Sequence, residues 1–141
     1  MANHTVRDWL PLREQQERLL AAYPTSFCVV AGNVLTWREA IQPTPFSRQY
    51  RVALHYELGT RPTVTVLSPP IRALIASSQL PQRTPPHING DPCDSLCLFL
   101  GPTEWNPTMA LADTTVPWTS LWLRFFESWL FTNTWEGSGA S

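Results

Sequence analysis

The stretch SFCVVAGNVLTWREAI, residues 26–41, decides the fold class. Ser26 to Val30 and Val34 to Ile41 are rich in β-branched and aromatic residues. Gly32-Asn33 between them has the chemistry of a tight turn, so the stretch predicts two short antiparallel strands. C-terminal to it, Pro43, Thr44 and Pro45 form a connection that cannot be central strand, because proline has no N–H for the ladder. Gln49 to Glu57 and Thr63 to Leu67 are two further β-rich runs, with a turn at Gly59. On the N-terminal side, TVRDWLPLREQQERLLAA, residues 5–22, places Trp9, Leu12, Leu19 and Leu20 on one side of an amphipathic helix. Pro11 should kink that helix or mark a break after a short first turn, and Tyr23-Pro24 ends it. One helix followed by a four-stranded antiparallel meander makes the class α+β.

A chain of 141 residues, 43% apolar and 11% aromatic, has enough apolar surface for one hydrophobic core, which excludes a disordered tail. A single domain over 1–141 is expected, with 136–141 as a mobile Gly/Ser-rich tail. Ten basic residues against eleven acidic ones give a net charge of −1, which disfavours a nucleic-acid partner. All ten basic residues are arginine; without lysine there is no Schiff-base chemistry and no lysine-armed phosphate loop. Three cysteines are an odd number, the N-terminus lacks a signal-peptide pattern, and no apolar run approaches the ~18 residues of a membrane span. A reduced, cytoplasmic setting away from the membrane is expected.

Beyond Ser68-Pro69-Pro70 the texture changes. Pro81, Pro85, Pro86, Pro92, Pro102 and Pro107 imply a long, stiff, irregular segment, and long loops inside a compact domain are usually functional. This one carries His87, Asn89, Cys93 and Cys97. From about Pro107 the pattern is helical again through MALADTTVPW, interrupted at Pro117, and then through LWLRFFESWLF, residues 121–131. A helix with Trp118, Trp122, Phe125, Phe126, Trp129 and Phe131 is apolar on nearly every face. It is either a central core helix or, along Trp118–Phe131, a surface for self-association or partner docking.

Three chemistries could use the loop. Zinc could take His87, Cys93 and Cys97, but a zinc deaminase needs a glutamate where Asn89 stands and two residues, not three, between its cysteines. A cysteine hydrolase could pair Cys97 with His87 or His55, although no protease signature surrounds Cys97. An acyl carrier would use Cys97 to hold a carboxyl group as a thioester. Asn89 suits it as an oxyanion donor that does not titrate, a role worth about 2.7–4 kcal/mol. No phosphate-cradling glycine loop is present, so such a carrier would receive an activated acyl group and need no cofactor of its own.

The motif His87-Ile88-Asn89, the eight-residue step from Asn89 to Cys97 within Leu96-Cys97-Leu98, and the further eight to Trp105-Asn106-Pro107 resemble the active-site segment of ubiquitin-conjugating enzymes. That family reads His-Pro-Asn, then Cys-Leu, then Trp-Ser-Pro at the same steps. The order of helix, meander, Pro69-Pro70 and active-site loop is also similar, over Thr5 to Met109. The resemblance implies a ubiquitin-conjugating (UBC-like) fold in which Cys97 carries the thioester, Asn89 serves the oxyanion or braces the loop, and His87 holds the loop's shape. Ile88 and Asn106 depart from the family's proline and serine, and for the acid that orients an incoming amine Asp113 is the nearest candidate.

The short chain and its tail, LADTTVPWTSLWLRFFESWLFTNTWEG, are more similar to bacterial relatives in antiphage operons, the stand-alone conjugating proteins of cyclic-oligonucleotide-based antiphage signalling systems (CBASS). That resemblance implies a cargo, the C-terminus of the partner cyclic nucleotide synthase, and its attachment to an amine on a target. The missing lysines would then spare the carrier from acylating itself, with Arg83→Lys as the test. Cys28 reads as a core residue, Cys93 as a loop residue and Trp105 as framework. The alternative from another class is an inactive binding module of the same fold, working through its aromatic C-terminal helix.

Overall fold

A computed structural model describes residues 8–90, 94–98 and 105–137. Helix α1, Leu12–Ala22, precedes strands β1, Phe27–Ala31; β2, Val34–Ile41; β3, Tyr50–Glu57; and β4, Thr63–Ser68. Helix α2, Ile71–Ala76, and helix α3, Thr115–Thr132, complete the order. The four strands form one antiparallel sheet in the order β1-β2-β3-β4, the meander expected from the alternating β-rich runs. The fold is α+β and consistent with a UBC-like architecture.

The hairpin turn at Gly32-Asn33 has positive φ, +61°, at its first central residue, the position where a type II′ turn demands glycine. Gly59, at φ +88°, is doubly required, since a Cβ there would lie 2.7 Å from the Trp9 ring. On β3, Tyr50, Val52, Leu54 and Tyr56 alternate inward and are buried, and β2 contributes Leu35 and Trp37 to the same face. The register places Trp37 opposite Leu54 and Leu35 opposite Tyr56, which puts the large inward side chains in one continuous layer. Each such burial stabilises by about 1.5–3 kcal/mol.

Two expectations change at the helices. Residues 8–10 are not α-helical; Pro11 stands at the N-cap and the helix starts at Leu12, while 5–7 lie outside the described residues. Proline suits that place because its missing N–H would have no partner in the first turn. Pro117 does not interrupt a longer helix but falls in the first turn of α3, for the same reason, and residues 107–114 form turns before it. The segment after Pro70, read as irregular, opens with α2, whose Ile71 and Ile75 are buried four residues apart.

Gln15, counted as polar surface by periodicity, is fully buried. Its Nε2 donates to Met109 O at 2.9 Å and its Oε1 accepts from Leu111 N at 2.9 Å. It ties α1 to the turns that lead into α3, and both ends of the amide are satisfied. The aromatic helix is mostly core: Val116, Trp122, Leu123, Phe126 and Trp129 are buried, and Leu121 and Phe131 face outward. Glu127 accepts hydrogen bonds from Ser47 Oγ and Tyr50 Oη at 2.6 and 2.8 Å, and burial together with that carboxylate drives the Tyr50 phenol well above its ordinary range.

The C-terminus of α3 is capped by Asn133 in the left-handed conformation and by Arg83. The Arg83 guanidinium donates to Trp129 O and Leu130 O and stacks 4.2 Å over the Trp129 ring. Arg83 is therefore a structural cap. No helix among the described residues is long and apolar enough to cross a membrane. Residues 138–141 of the expected tail lie outside the described residues.

Candidate active site

The segments around His87-Asn89 and Ser95-Cys97 run antiparallel to each other, with Ile88 bridging Leu96. Asn89 N donates to Ser95 O at 2.8 Å and Cys97 N donates to His87 O at 2.9 Å. Both bonds come from residues flanking the Ile88 position, and neither uses the Ile88 N–H. Leu96 N donates to Val64 O of β4 at 2.9 Å, which moors the loop on the edge of the sheet. Leu96 is buried, Asn89 is exposed and Cys97 is half-buried.

Local backbone chemistry bends the loop at two points. His87 and Asp94 hold positive φ, 59° and 51°, a region where histidine and aspartate are among the non-glycine residues most often found. Asp94 is anchored by Arg72 of α2, whose Nε and Nη2 reach its two carboxylate oxygens at 2.8 and 3.0 Å in a bidentate pair. His87 is held through its carbonyl, which accepts from Trp122 Nε1 of α3 at 2.9 Å as well as from Cys97 N. Its ring lies against Trp135, with centroids 5.2 Å apart.

Three side chains meet at the rim of this loop. Cys97 Sγ donates to Asn89 Oδ1 at 3.0 Å, and Asn89 Nδ2 donates to Ser95 Oγ at 2.9 Å. A thiol on an accessible rim beside a carboxamide can attack a carbonyl carbon and have the developing charge met by a non-titrating donor. Cys97, Asn89 and His87 are thus brought together, Cys97 and His87 through the backbone. His55 projects from the outer face of β3 and does not complete a hydrolase pair of the kind weighed from sequence.

Trp105 is buried edge-on against Tyr56, centroids 5.3 Å apart, and serves as framework. Asn106, where the ubiquitin-conjugating motif has serine, accepts from Thr108 N at 2.9 Å and from Thr108 Oγ1, an Asx turn that a shorter serine makes more weakly. Asp113 is exposed and acts with burial to raise the phenol of Tyr23. Cys28 is half-buried in β1, and burial pushes its thiol up to about 11. Cys93 lies outside the described residues. Among the described residues no group of three or more His, Cys, Asp or Glu converges as a metal site.

Sequence reasoning missed Ser95, Trp122 and the Arg72–Asp94 pair. Ser95 carries no motif and becomes visible only as a buried hydroxyl, 3% exposed, beneath Asn89. Trp122 was legible as an aromatic core residue, not as a hydrogen-bond donor to a loop 35 residues away.

The model of the family described as Type II CBASS E2 protein matches residues 15–141. A search of curated proteins finds no match.

Proposed function

The chain belongs to the type II CBASS E2 family and is an E2-like protein of that antiviral system; from that premise we propose that Cys97 accepts the C-terminal acyl group of a partner protein as a thioester and passes it to an amine. The observation that carries the reading is the 3.0 Å contact of Cys97 Sγ with the Asn89 carboxamide on the accessible rim of the loop. The acyl donor is a carboxyl group already activated elsewhere, as an acyl adenylate or a thioester. The Cys97 thiol gives up its proton to solvent, sulfur attacks the carbonyl carbon, the C–S bond forms, and the leaving group departs with its bonding electrons. An acceptor amine then attacks the same carbon. The C–N bond forms, the C–S electrons return to sulfur as thiolate, and the ammonium proton passes to water.

In both steps the carbonyl oxygen becomes an oxyanion, which Asn89 meets by hydrogen bonding. His87 shapes the loop through its carbonyl. The partner is a CBASS protein, with the C-terminus of the cyclic nucleotide synthase as the cargo. Intact-mass spectrometry of the chain co-expressed with its operon neighbours tests this. An adduct on Cys97 that survives mild reductant and is removed by hydroxylamine supports the reading, as does a persistent oxyester on Cys97→Ser. An unmodified mass beside activated cargo overturns it.

One observation favours a second reading, a non-catalytic binding module. Phe46 and Phe131, 98% and 88% exposed, stand on the rim of a groove of about 450 Å³ that also includes Arg48 and Leu130. Under this reading Phe46→Ser with Phe131→Ser abolishes partner association while Cys97→Ser leaves it unchanged.

A further inference from the structure

The contact between Cys97 and Asn89 has the polarity of a resting thiol. The S–H donates and Oδ1 accepts, so the amide presents an acceptor to the sulfur. Once the proton has left and an oxyanion forms above the sulfur, the same amide must present a donor. The carboxamide meets that demand at the same edge by turning over, which exchanges Oδ1 and Nδ2 between two nearly superimposable positions. Its far end would then direct Oδ1, no longer Nδ2, at the neighbour beneath. That neighbour is Ser95 Oγ, 2.9 Å from Nδ2 and in a residue 3% exposed.

Most neighbours would resist the exchange. A backbone carbonyl or a carboxylate accepts from Nδ2 but repels Oδ1, and an N–H or a guanidinium does the reverse. A hydroxyl accepts from one orientation and donates to the other. Ser95 is also held in place for this purpose by its own backbone, since Ser95 O accepts from Asn89 N at 2.8 Å.

We propose that Ser95 is a positioning residue that lets the Asn89 carboxamide invert between a thiol-accepting and an oxyanion-donating orientation. The proposal rests on the reading of Cys97 as the thioester-bearing residue. Ser95 touches neither the thiol nor the acyl group in this scheme. It acts through Asn89 and keeps a hydrogen bond to it in both orientations.

The test loads Cys97 chemically. A peptidyl-glycine thioester of mercaptoethanesulfonate exchanges onto Cys97, and the loaded chain is discharged with excess ethanolamine in a single turnover. Ser95→Ala should discharge about tenfold more slowly, a fraction of the 10²–10³ seen when an oxyanion donor itself is lost. Ser95→Thr, which keeps a hydroxyl, should recover most of the rate. In an Asn89→Ala background, Ser95→Ala should have no further effect on discharge, because its route to the reaction is gone.

Equal discharge by Ser95→Ala and the unaltered chain overturns the proposal and leaves the thioester reading standing. So does a full Ser95→Ala penalty in the Asn89→Ala background, which marks a merely structural serine. If the donor loads neither the unaltered chain nor Ser95→Thr while alkylation shows Cys97 to be accessible, the thioester reading falls and the proposal falls with it. Should Ser95→Ala fail to fold, Ser95→Val set against Ser95→Thr, two side chains of the same shape of which only one carries a hydroxyl, gives the same comparison in the two Asn89 backgrounds.

Discussion

The indole N–H of Trp122 and the backbone N–H of Cys97 converge on one acceptor, the carbonyl oxygen of His87, each at 2.9 Å. The C-terminal helix thereby fixes the same backbone group that fixes the nucleophile candidate. A positive φ at His87 aims that carbonyl, and the two donors hold it there.

Trp122→Phe keeps an aromatic ring and removes the donor. Loss of the bond and of part of the ring should cost about 2 kcal/mol of stability in urea denaturation. Amide exchange should speed up at Cys97 and Asn89 before it does so on β3. Uniform loss of protection across the domain would mean that the bond to His87 has no local role.

Gln15→Leu preserves much of the volume but leaves Met109 O and Leu111 N without the partners they have in the intact protein. Each abandoned group costs about 1–3 kcal/mol, so the variant should lose about 2–4 kcal/mol although it is more apolar. Denaturant titration would reveal this as a lowered midpoint at unchanged m-value.

The Cys28 thiol, pushed from 9.0 to about 11 by burial, stays protonated in the folded chain where the unfolded chain ionises. Because the folded state then binds more protons, stability from this group is present below pH 9 and is lost as pH rises towards 11. Cys28→Ala should flatten that part of the stability curve. Peptide mapping after iodoacetamide treatment at pH 8 should find Cys97 alkylated ahead of Cys28.

Arg83→Lys is a poor probe of the lysine-free composition, because the guanidinium caps α3 through several bonds that an ammonium cannot reproduce, and the exchange should cost about 1–2 kcal/mol. Arg72 is the better position: its side chain is 69% exposed, and lysine there keeps a charge opposite Asp94, three residues before Cys97, while giving up one of the two hydrogen bonds of the pair. If the absence of lysine protects the carrier, Arg72→Lys should acquire a hydroxylamine-resistant acyl adduct once Cys97 is loaded. A clean mass at that residue would remove the protective explanation.

The meander was legible because strand pattern is local chemistry. Alternating burial and turn residues at Gly32-Asn33 and Gly59 are properties of neighbours in the chain, and the observed strands differ from the expected ones by single residues at some ends. Helix α2 was not legible, because six residues after a proline pair give too short a period to read. Pro11 and Pro117 were read as possible interruptions, although each sits at a helix start, where a missing N–H costs nothing.

Spacing along the chain selected Asn89, Cys97 and His87, since a motif is a set of residue types at fixed steps and needs no coordinates. Which atoms meet is a different matter. The grip of Trp122 on the His87 carbonyl and the anchoring of Asp94 by Arg72 join elements far apart in sequence, and they hold the bend across which Asn89, six residues away, meets Ser95. A hydrogen bond depends on distance and direction within a few tenths of an ångström, and only packing the helices against one sheet face brings those groups within that reach.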